Sequence, residues 1–445
     1  MTSTLTNRQS GAVAKVRDSW GGTAVVLLAL SVAATAVLSK LIDGTYQRTD
    51  YQGHRYLESA GTTGRLIAAA VLVLAVGAAL LAIWQAIVKM AADRDRPAYR
   101  SGYTVLMLLL VIWWSFATIM RGEVHDGQSA FEVVAAIIIM LGVLAAPPTI
   151  KTLQRLTHVL NAFAAASLAY AYYNPLQQLP CRIDKCGIFG NMFTGFFYQE
   201  NGAARVVVLL IPVACAITSR WYLLLTLSIA TVYVAATGSR TSLASLAIAI
   251  VIVFVVRRRM MGKSVKTDIP WPLRLAPLAA LAASAYLMYT DDPHALTGRG
   301  EIYAGIRAQL HGEGMILGSG SDTVSHLILA YNALAFGEHG QVPHLAVRAG
   351  AIGIALFTLA MIAVFRKKQW TPLQAAGFSL LFVAATQFAT EPAWELELRT
   401  MSCTLMILTA GLLARTDSPP APERRAKKLA PELKRLDTAL QRRAT

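Results

Sequence analysis

The sequence has few charged residues. Of its 445 residues, 15% are Asp, Glu, Lys or Arg, whereas a soluble protein of this length usually has about 25%. Since 55% of the residues are hydrophobic, this shortage excludes an ordinary soluble domain and predicts a membrane protein with many spanning segments. The sequence shows neither a fixed-period repeat nor a separate soluble domain.

The hydrophobic residues are gathered in apolar runs, which predict an all-α polytopic membrane protein with about 12 transmembrane helices. Several runs are shorter than the ~20 residues that the hydrocarbon layer requires. We expect one transmembrane domain over residues 1–415, whose first run is an uncleaved anchor. The runs cover roughly residues 20–39, 65–90, 102–120, 130–147, 154–173, 203–219, 221–238, 241–256, 272–290, 345–365, 371–390 and 399–415.

The basic residues are unevenly distributed between the two sides of the predicted membrane domain. A net charge of +16 suggests nucleic acid, but this distribution argues against such a partner. With both termini inside, 28 of the 41 Lys and Arg residues fall on inside segments. The positive-inside rule therefore predicts cytoplasmic termini, contact with membrane lipids and a basic cytoplasmic tail over residues 416–445. The loops 41–64, 174–202 and 291–344 are then outside.

The second outside loop carries two of the four cysteines and an aromatic run. Cys181 and Cys186 occur in CRIDKC, where a disulfide and two free thiols are both open interpretations. No neighbouring ligands favour a metal site there. Cys215 and Cys403 lie in apolar runs and are expected to be packing residues. The sequence FTGFFY predicts a re-entrant or interfacial segment.

The third outside loop, residues 291–344, is the longest polar interruption in the chain. The i, i+4, i+8 spacing of Ile302, Ile306 and Leu310 predicts a short amphipathic helix over residues 299–311. Glycines follow it, and residues 323–336 predict a second amphipathic or interfacial helix. We therefore expect a helical insert between spans 9 and 10, forming a rim over an outward-facing cavity.

Two outside arginines are candidates for binding an anion. Arg240 lies in the turn TGSRTS between two apolar runs, and Arg299 lies in TGRG just beyond the ninth run. A guanidinium is always charged and binds phosphate oxygens in a bidentate manner. The alternative for Arg240 is an interfacial arginine that binds lipid headgroups. The alternative for Arg299 is a surface charge in contact with solvent. Together, the two arginines predict a site for a diphosphate.

His339 is the candidate general base, because the unperturbed pKa of imidazole, about 6.5, suits the removal of a proton near neutral pH. An interfacial or packing histidine is the alternative. Asp291 and Asp292 are expected to be a solvated helix end rather than a metal site, so we expect no metal and no cofactor. The acidic segment from Glu391 to Glu397 can contact a sugar hydroxyl or pair with the two candidate arginines. The further candidates for substrate contact are Asn201, Arg182, Tyr198, Glu338, His344 and Glu391.

These fragments together resemble the O-antigen ligase and O-antigen polymerase family of bacterial envelope enzymes. GNMFTGFFYQENGAARVVVLLIPVA is similar to the family's G…N-x-x-A segment and places its asparagine at Asn201. TGSRTSLASL is similar to the S-R-[GT] turn, and TGRGEIYAG to the second arginine segment, which places the family's arginines at Arg240 and Arg299. MILGSGSDT is similar to the G-x-G segment that follows. The resemblance covers residues 180–365.

The ligase pattern H-[NSQ]-x(9)-G-x-x-G is matched in spacing by His339, Gly350 and Gly353. Gly340 departs from the pattern, and His344 is an alternative histidine. The pattern and the predicted topology favour an O-antigen ligase. O-antigen polymerase and protein O-oligosaccharyltransferase are the alternatives, and a lipid-linked glycan transporter is the non-enzymatic one. Nearly charge-free spans disfavour a transporter.

The resemblance implies a lipid-donor (GT-C-like) glycosyltransferase in the bacterial inner membrane, with a periplasmic active site. The donor is a glycan linked to undecaprenyl diphosphate, and the acceptor of a ligase is a sugar of lipid A–core. Arg240 and Arg299 would neutralise the leaving diphosphate in place of a metal. His339 would deprotonate the acceptor hydroxyl, and direct attack would invert the anomeric centre.

Overall fold

The computed structural model describes most of the chain, and its described part is built almost entirely from helices. The described residues are 19–42, 45–49, 55–59, 63–92, 101–124, 127–175, 178–181, 185–197, 200–261, 267–290, 292, 295–320, 340–398 and 400–414. In chain order, the helices are α1 (Trp20–Leu41), α2 (Thr63–Ala92), α3 (Gly102–Met120), α4 (Gly127–Ala145), α5 (Ile150–Tyr173), α6 (Glu200–Val213), α7 (Arg220–Thr237), α8 (Arg240–Met261), α9 (Trp271–Met288), α10 (Ala295–Gln309), α11 (Glu313–Leu317), α12 (Gln341–Arg366), α13 (Pro372–Ala385) and α14 (Met401–Ala414).

Each predicted apolar run overlaps one of these helices. Within the described part of the chain, six segments are long and apolar enough to cross a membrane, and shorter apolar helices accompany them. The prediction of a helical multi-pass membrane protein is thereby confirmed, whereas the number of spans stays a prediction. The six segments are Trp20–Leu41, Ala69–Val88, Gly102–Met120, Arg220–Thr237, Arg240–Arg258 and Gln341–Arg366.

Short antiparallel strand pairs, which the all-α prediction did not include, lie in the connections between helices. Loop 41–64 contains the longest pair, with Thr45 opposite Ser59 and Thr49 opposite Arg55. The strands are β1 (Thr45–Thr49), β2 (Arg55–Ser59), β3 (Leu179–Pro180), β4 (Asn191–Met192), β5 (Thr267–Asp268) and β6 (Gln369–Trp370), paired β1–β2, β3–β4 and β5–β6. Backbone pairing of this kind satisfies polar groups that a connection would otherwise leave without partners.

Hydrogen-bonding side chains determine where several helices begin. The Thr149 side chain accepts from the backbone N–H of Thr152, and the Thr152 side chain accepts from the backbone N–H of Thr149. Helix α5 therefore begins with a capping box. Thr371 and Gln374 form the same arrangement at the start of α13, where Pro372 occupies the first helical position. Such caps satisfy N–H groups that have no partner within the helix.

The helices run antiparallel, which sorts their connections to two ends of the bundle. The polar-loop end includes the C-termini of α1 and α3, loop 178–197, the N-termini of α6, α8 and α12, helix α10, and loop 386–398. The basic end consists of the N-termini of α1, α5, α7 and α13 and the C-termini of α8 and α12. Bonds such as Arg205 to the Pro392 carbonyl join elements at the polar-loop end, and Arg274 to the Phe365 carbonyl does so at the basic end.

Three short helices form the centre of the bundle. All residues of α14 are buried, as are nearly all of α6 and α13. The longer helices α2, α3, α7 and α8 instead leave large apolar side chains exposed along one face, as expected for contact with lipid. The polar-loop end therefore adjoins a core of α6, α13 and α14, which the surrounding helices shield from lipid.

Candidate functional site

Loop 178–197 is closed by a disulfide between Cys181 and Cys186, which corresponds to the first of the two interpretations of these cysteines. The loop lies on the C-terminus of α7. The backbone N–H of Phe193 donates to the Ala236 carbonyl at 3.0 Å, and the N–H of Ile188 donates to the Ala235 carbonyl at 3.3 Å. The loop is thus held next to the turn that leads into α8.

Residues 193–196 of the aromatic run are buried inside the polar-loop end. Gln178 Oε1 accepts from the N–H groups of Thr194 and Gly195 at 2.9 and 3.1 Å. Lys40, at the end of α1, donates to the Gly195 carbonyl at 2.7 Å. Gly195 has a φ of +57°, and a Cβ there would collide with the hydroxyls of Ser167 and Tyr233. This segment is therefore non-helical backbone packed against helices, the arrangement that membrane proteins tolerate.

Lys185, inside the disulfide loop, connects this loop to the start of α6. Its Nζ donates to Glu200 Oε1 at 2.8 Å and to Asn201 Oδ1 at 2.6 Å. The amide oxygen of the predicted substrate contact Asn201 is thus already engaged by a cation. Sequence analysis did not identify Lys185, although its position between the two cysteines was the available signal.

Arg205, one turn after Asn201 in α6, is a buried cation that joins α6 to loop 386–398. Its Nη1 donates to the Pro392 carbonyl at 2.6 Å, and its Nη2 lies 2.5 Å from Glu395 Oε1. Two turns into α12, Arg348 Nη1 lies 2.8 Å from Glu397 Oε1. The acidic segment therefore pairs with arginines, one of the two roles predicted for it, but with arginines that were not among the predicted site residues.

The start of α12 is hydrogen-bonded to loop 386–398. The N–H of Gln341 donates to the Phe388 carbonyl at 2.8 Å, and its side chain exchanges two hydrogen bonds with the backbone of Trp394. His344 lies on the next turn and is buried. Gly340 has a φ of +90°, and a Cβ there would approach the Ala389 carbonyl to 3.2 Å. This geometry explains a glycine at the position where the ligase pattern has Asn, Ser or Gln.

Helix α12 is broken at Gly350, the first glycine of the histidine pattern. Gly350 has φ +62° and ψ −162°, a conformation available essentially to glycine alone. A Cβ at this position would lie 2.1 Å from the Ile316 carbonyl oxygen and 2.6 Å from the Gly318 nitrogen. The MILGSG segment therefore packs directly into the break, so two separately recognised motifs form one structural unit.

The carbonyl groups released by this break have new partners. Carbonyl groups that precede an interruption of a helix need partners from outside the helix, and those of residues 347–349 have them. The Val347 carbonyl accepts from Gly320 N at 2.9 Å, and the Arg348 carbonyl accepts from Arg121 Nη1 at 3.2 Å. The Ala349 carbonyl accepts from Trp113 Nε1 at 2.8 Å. Arg121 also donates to the Leu317 carbonyl. These bonds hold residues 317–320 against α12 and the end of α3.

The two predicted diphosphate-binding arginines belong to elements at this same end. Arg240 is the first residue of α8 and is exposed. A hydrogen bond of 2.8 Å between Ser245 and Thr386 ties the start of α8 to loop 386–398. Arg299 lies in α10, which begins four residues before the predicted helix and is anchored to the end of α9 by a bond from Arg307 to the Met288 carbonyl.

The remaining predictions divide between described and undescribed parts of the chain. Cys215 and Cys403 are buried, as expected of packing residues, and Asp292 is exposed. Among the residues that the structure describes, no group of three His, Cys, Asp or Glu side chains is arranged to hold a metal. The predictions outside the described residues concern Arg182, Tyr198, Asp291, Glu338 and His339, the second amphipathic helix over 323–336, and the tail 416–445.

The polar-loop end thus presents several cations whose positions are defined by neighbouring carboxylates. Arg121 with Glu123, Lys185 with Glu200, and the two arginine pairs described above are ion pairs at this end. Cations positioned by fixed partners can stabilise a negative charge without further rearrangement. No protein-family model, curated protein or solved structure matches this chain.

Proposed function

We propose that this chain is an O-antigen ligase, which transfers a glycan from undecaprenyl diphosphate onto a sugar of lipid A–core. In this proposal, it has a GT-C-like architecture of about 12 spans in the bacterial inner membrane. Both termini are cytoplasmic and the polar-loop end is periplasmic. The Cys181–Cys186 disulfide supports this orientation, because such bonds persist in the periplasm rather than in the cytoplasm. The excess of Lys and Arg on the opposite segments also supports it.

The observation that carries the proposal is the packing of the MILGSG segment into the Gly350 break. The family resemblance depends on short motifs that are far apart in the sequence. The structure brings two of them into contact, with the Gly318 nitrogen beside the position of a Cβ on Gly350. The Arg240 turn, the start of α6 and the α10 segment that carries Arg299 lie at the same end. Such convergence is expected when the motifs build one site.

The proposed chemistry is a direct glycosyl transfer. The acceptor hydroxyl oxygen forms a bond to the anomeric carbon as the bond from that carbon to the diphosphate oxygen breaks. His339 accepts the hydroxyl proton, and undecaprenyl diphosphate leaves with the bonding electron pair. Arg240 and Arg299 neutralise the charge that develops on the diphosphate, so no metal is needed. A single displacement inverts the anomeric configuration.

The test is reconstitution of the purified full chain in liposomes with an undecaprenyl-linked glycan and two competing acceptors, lipid A–core and free repeat unit. Glycan appearing on lipid A–core, with full activity in excess EDTA, is the expected result. Elongation of the repeat unit alone would identify a polymerase instead. Transfer to a protein would identify an O-oligosaccharyltransferase. Movement of the donor across the membrane without any transfer would identify a transporter.

A further inference from the structure

Arg257, near the basic end of α8, is a buried charge. Its side chain is 92% buried, since the residue is 8% exposed. Its Nη2 donates to the Thr218 carbonyl at 2.6 Å, and its Nη1 is buried without a hydrogen-bond partner. Among the residues described by the structure, no carboxylate forms an ion pair with it. A buried guanidinium in this state is strongly unfavourable unless an anion lies nearby.

The Thr218 contact places Arg257 beneath the turn that leads into α7. Gln154, in the second turn of α5, donates to the Ala216 carbonyl of the same turn at 3.1 Å. The ends of α5, α7 and α8 therefore meet around this turn. Arg220, the first residue of α7, is exposed directly after this turn. We call Arg220 and Arg257 the basic patch.

The patch has no acidic residues in its own segments to balance its charge. Residues 133–183, which include α5, contain no Asp or Glu. Residues 201–267, which include α7 and α8, contain none either. The start of α7 adds to the positive potential, because the N-terminus of a helix carries a partial positive charge. The anion that balances the patch must therefore come from elsewhere.

The surface around the patch has the character of a membrane interface. Trp221, the next residue after Arg220, is 82% exposed, and Leu224 and Leu225 are exposed one turn further along α7. His158 Nδ1 and the Tyr222 hydroxyl lie 2.8 Å apart on the same surface. Aromatic residues of this kind are enriched at the depth of lipid headgroups. An anion at this position is therefore best supplied by a lipid.

We propose that the basic patch binds the phosphate of an anionic phospholipid. The headgroup binds at the exposed turn beside Arg220 and balances the charge of Arg257 from the surface, while the acyl chains lie along the apolar face of α7. This site is at the opposite end of the bundle from the proposed active site and does not depend on the proposed function. Basic pockets between membrane helices bind headgroups in this way.

The experiment measures thermal stabilisation of the purified full chain in neutral detergent by added phosphatidylglycerol, phosphatidylcholine or inorganic phosphate. Phosphatidylglycerol is expected to raise the melting temperature more than either other addition. Arg257→Gln and Arg220→Gln are each expected to weaken its apparent affinity about fivefold, the effect of losing one basic residue near an anionic lipid. Arg258→Gln is the matched control, because Arg258 is adjacent and exposed.

Three results would overturn the proposal. Equal stabilisation by phosphatidylcholine would show that the site does not recognise charge. Equal stabilisation by inorganic phosphate would assign it to a soluble phosphate instead of a lipid. An unchanged affinity in both Arg257→Gln and Arg220→Gln would remove these arginines from the site. If Arg257→Gln does not fold, Arg220→Gln is compared with Arg258→Gln by the same criteria.

Discussion

Replacing Gly350 with alanine tests whether the break in α12 builds the proposed site. The change adds one methyl group at a position where the backbone has φ +62° and ψ −162°. The added Cβ would also lie 2.1 Å from the Ile316 carbonyl oxygen and 2.6 Å from the Gly318 nitrogen. Both neighbours are backbone atoms, so no side-chain rotation relieves the collision. Either the backbone of α12 or the MILGSG segment has to move.

The cost follows from these two effects. A residue other than glycine in this backbone region costs about 1–3 kcal/mol. Forcing an extra methyl group into a packed site typically costs a further ~1–3 kcal/mol. We therefore expect Gly350→Ala to lower the free energy of unfolding by about 2–6 kcal/mol. Because the MILGSG segment lies in the proposed site, glycosyl transfer should fall as well.

Gly77→Ala is the control for this substitution. Gly77 lies in α2, where a Cβ would meet no atom within 4 Å. Alanine should there be neutral or stabilising by about 0.5–1 kcal/mol, because it favours a helix over glycine. Thermal unfolding can be followed by dye labelling of the buried free thiols of Cys215 and Cys403. If Gly350→Ala has the melting temperature and the transfer activity of the wild type, the break is required neither for stability nor for the proposed site, and the prediction is refuted.

Three further substitutions address the site directly. His339→Ala should abolish transfer to lipid A–core at a normal protein level, and retained ligation would refute its role as general base. Arg205→Met should be destabilising by about 3–5 kcal/mol, because it leaves the Glu395 carboxylate without its partner; the double variant with Glu395→Gln should recover part of this loss in thermal melts. Arg240→Ala should raise the KM for the lipid-linked donor, whereas Arg258→Ala at the basic end should leave it unchanged, and equal effects would argue against diphosphate binding.

The ion pairs at the polar-loop end have a structural consequence beyond their charge. Arg205 connects α6 with loop 386–398, and Arg121 connects α3 with the insert that precedes α12. Each guanidinium donates to a backbone carbonyl as well as pairing with a carboxylate. Directional bonds of this kind hold irregular backbone in one position. The arginines therefore organise the loops around the proposed site.

Hydropathy and charge were sufficient to predict the helical membrane architecture. Apolar residues must be shielded from water and a helix satisfies its own backbone, so composition along the chain predicts where helices form. The same local rules predicted the amphipathic helix that contains Ile302 and Ile306, although it begins four residues earlier. They did not predict the short strands, such as β1 and β2, because pairing between strands depends on contacts that composition does not encode.

The sequence by itself determined the class of protein, the positions of its apolar helices and the motifs that resemble a lipid-donor glycosyltransferase. Only the tertiary structure decided which of these motifs meet. Gly350 and Gly318 are 32 residues apart in the chain. Their segments approach so closely that a Cβ at Gly350 would collide with the Ile316 backbone and a Cβ at Gly318 with the Val347 backbone. The partners of Arg205 and the burial of Arg257 are likewise properties of packing. A charge in the sequence shows that a partner is needed, but only the fold shows whether one is present.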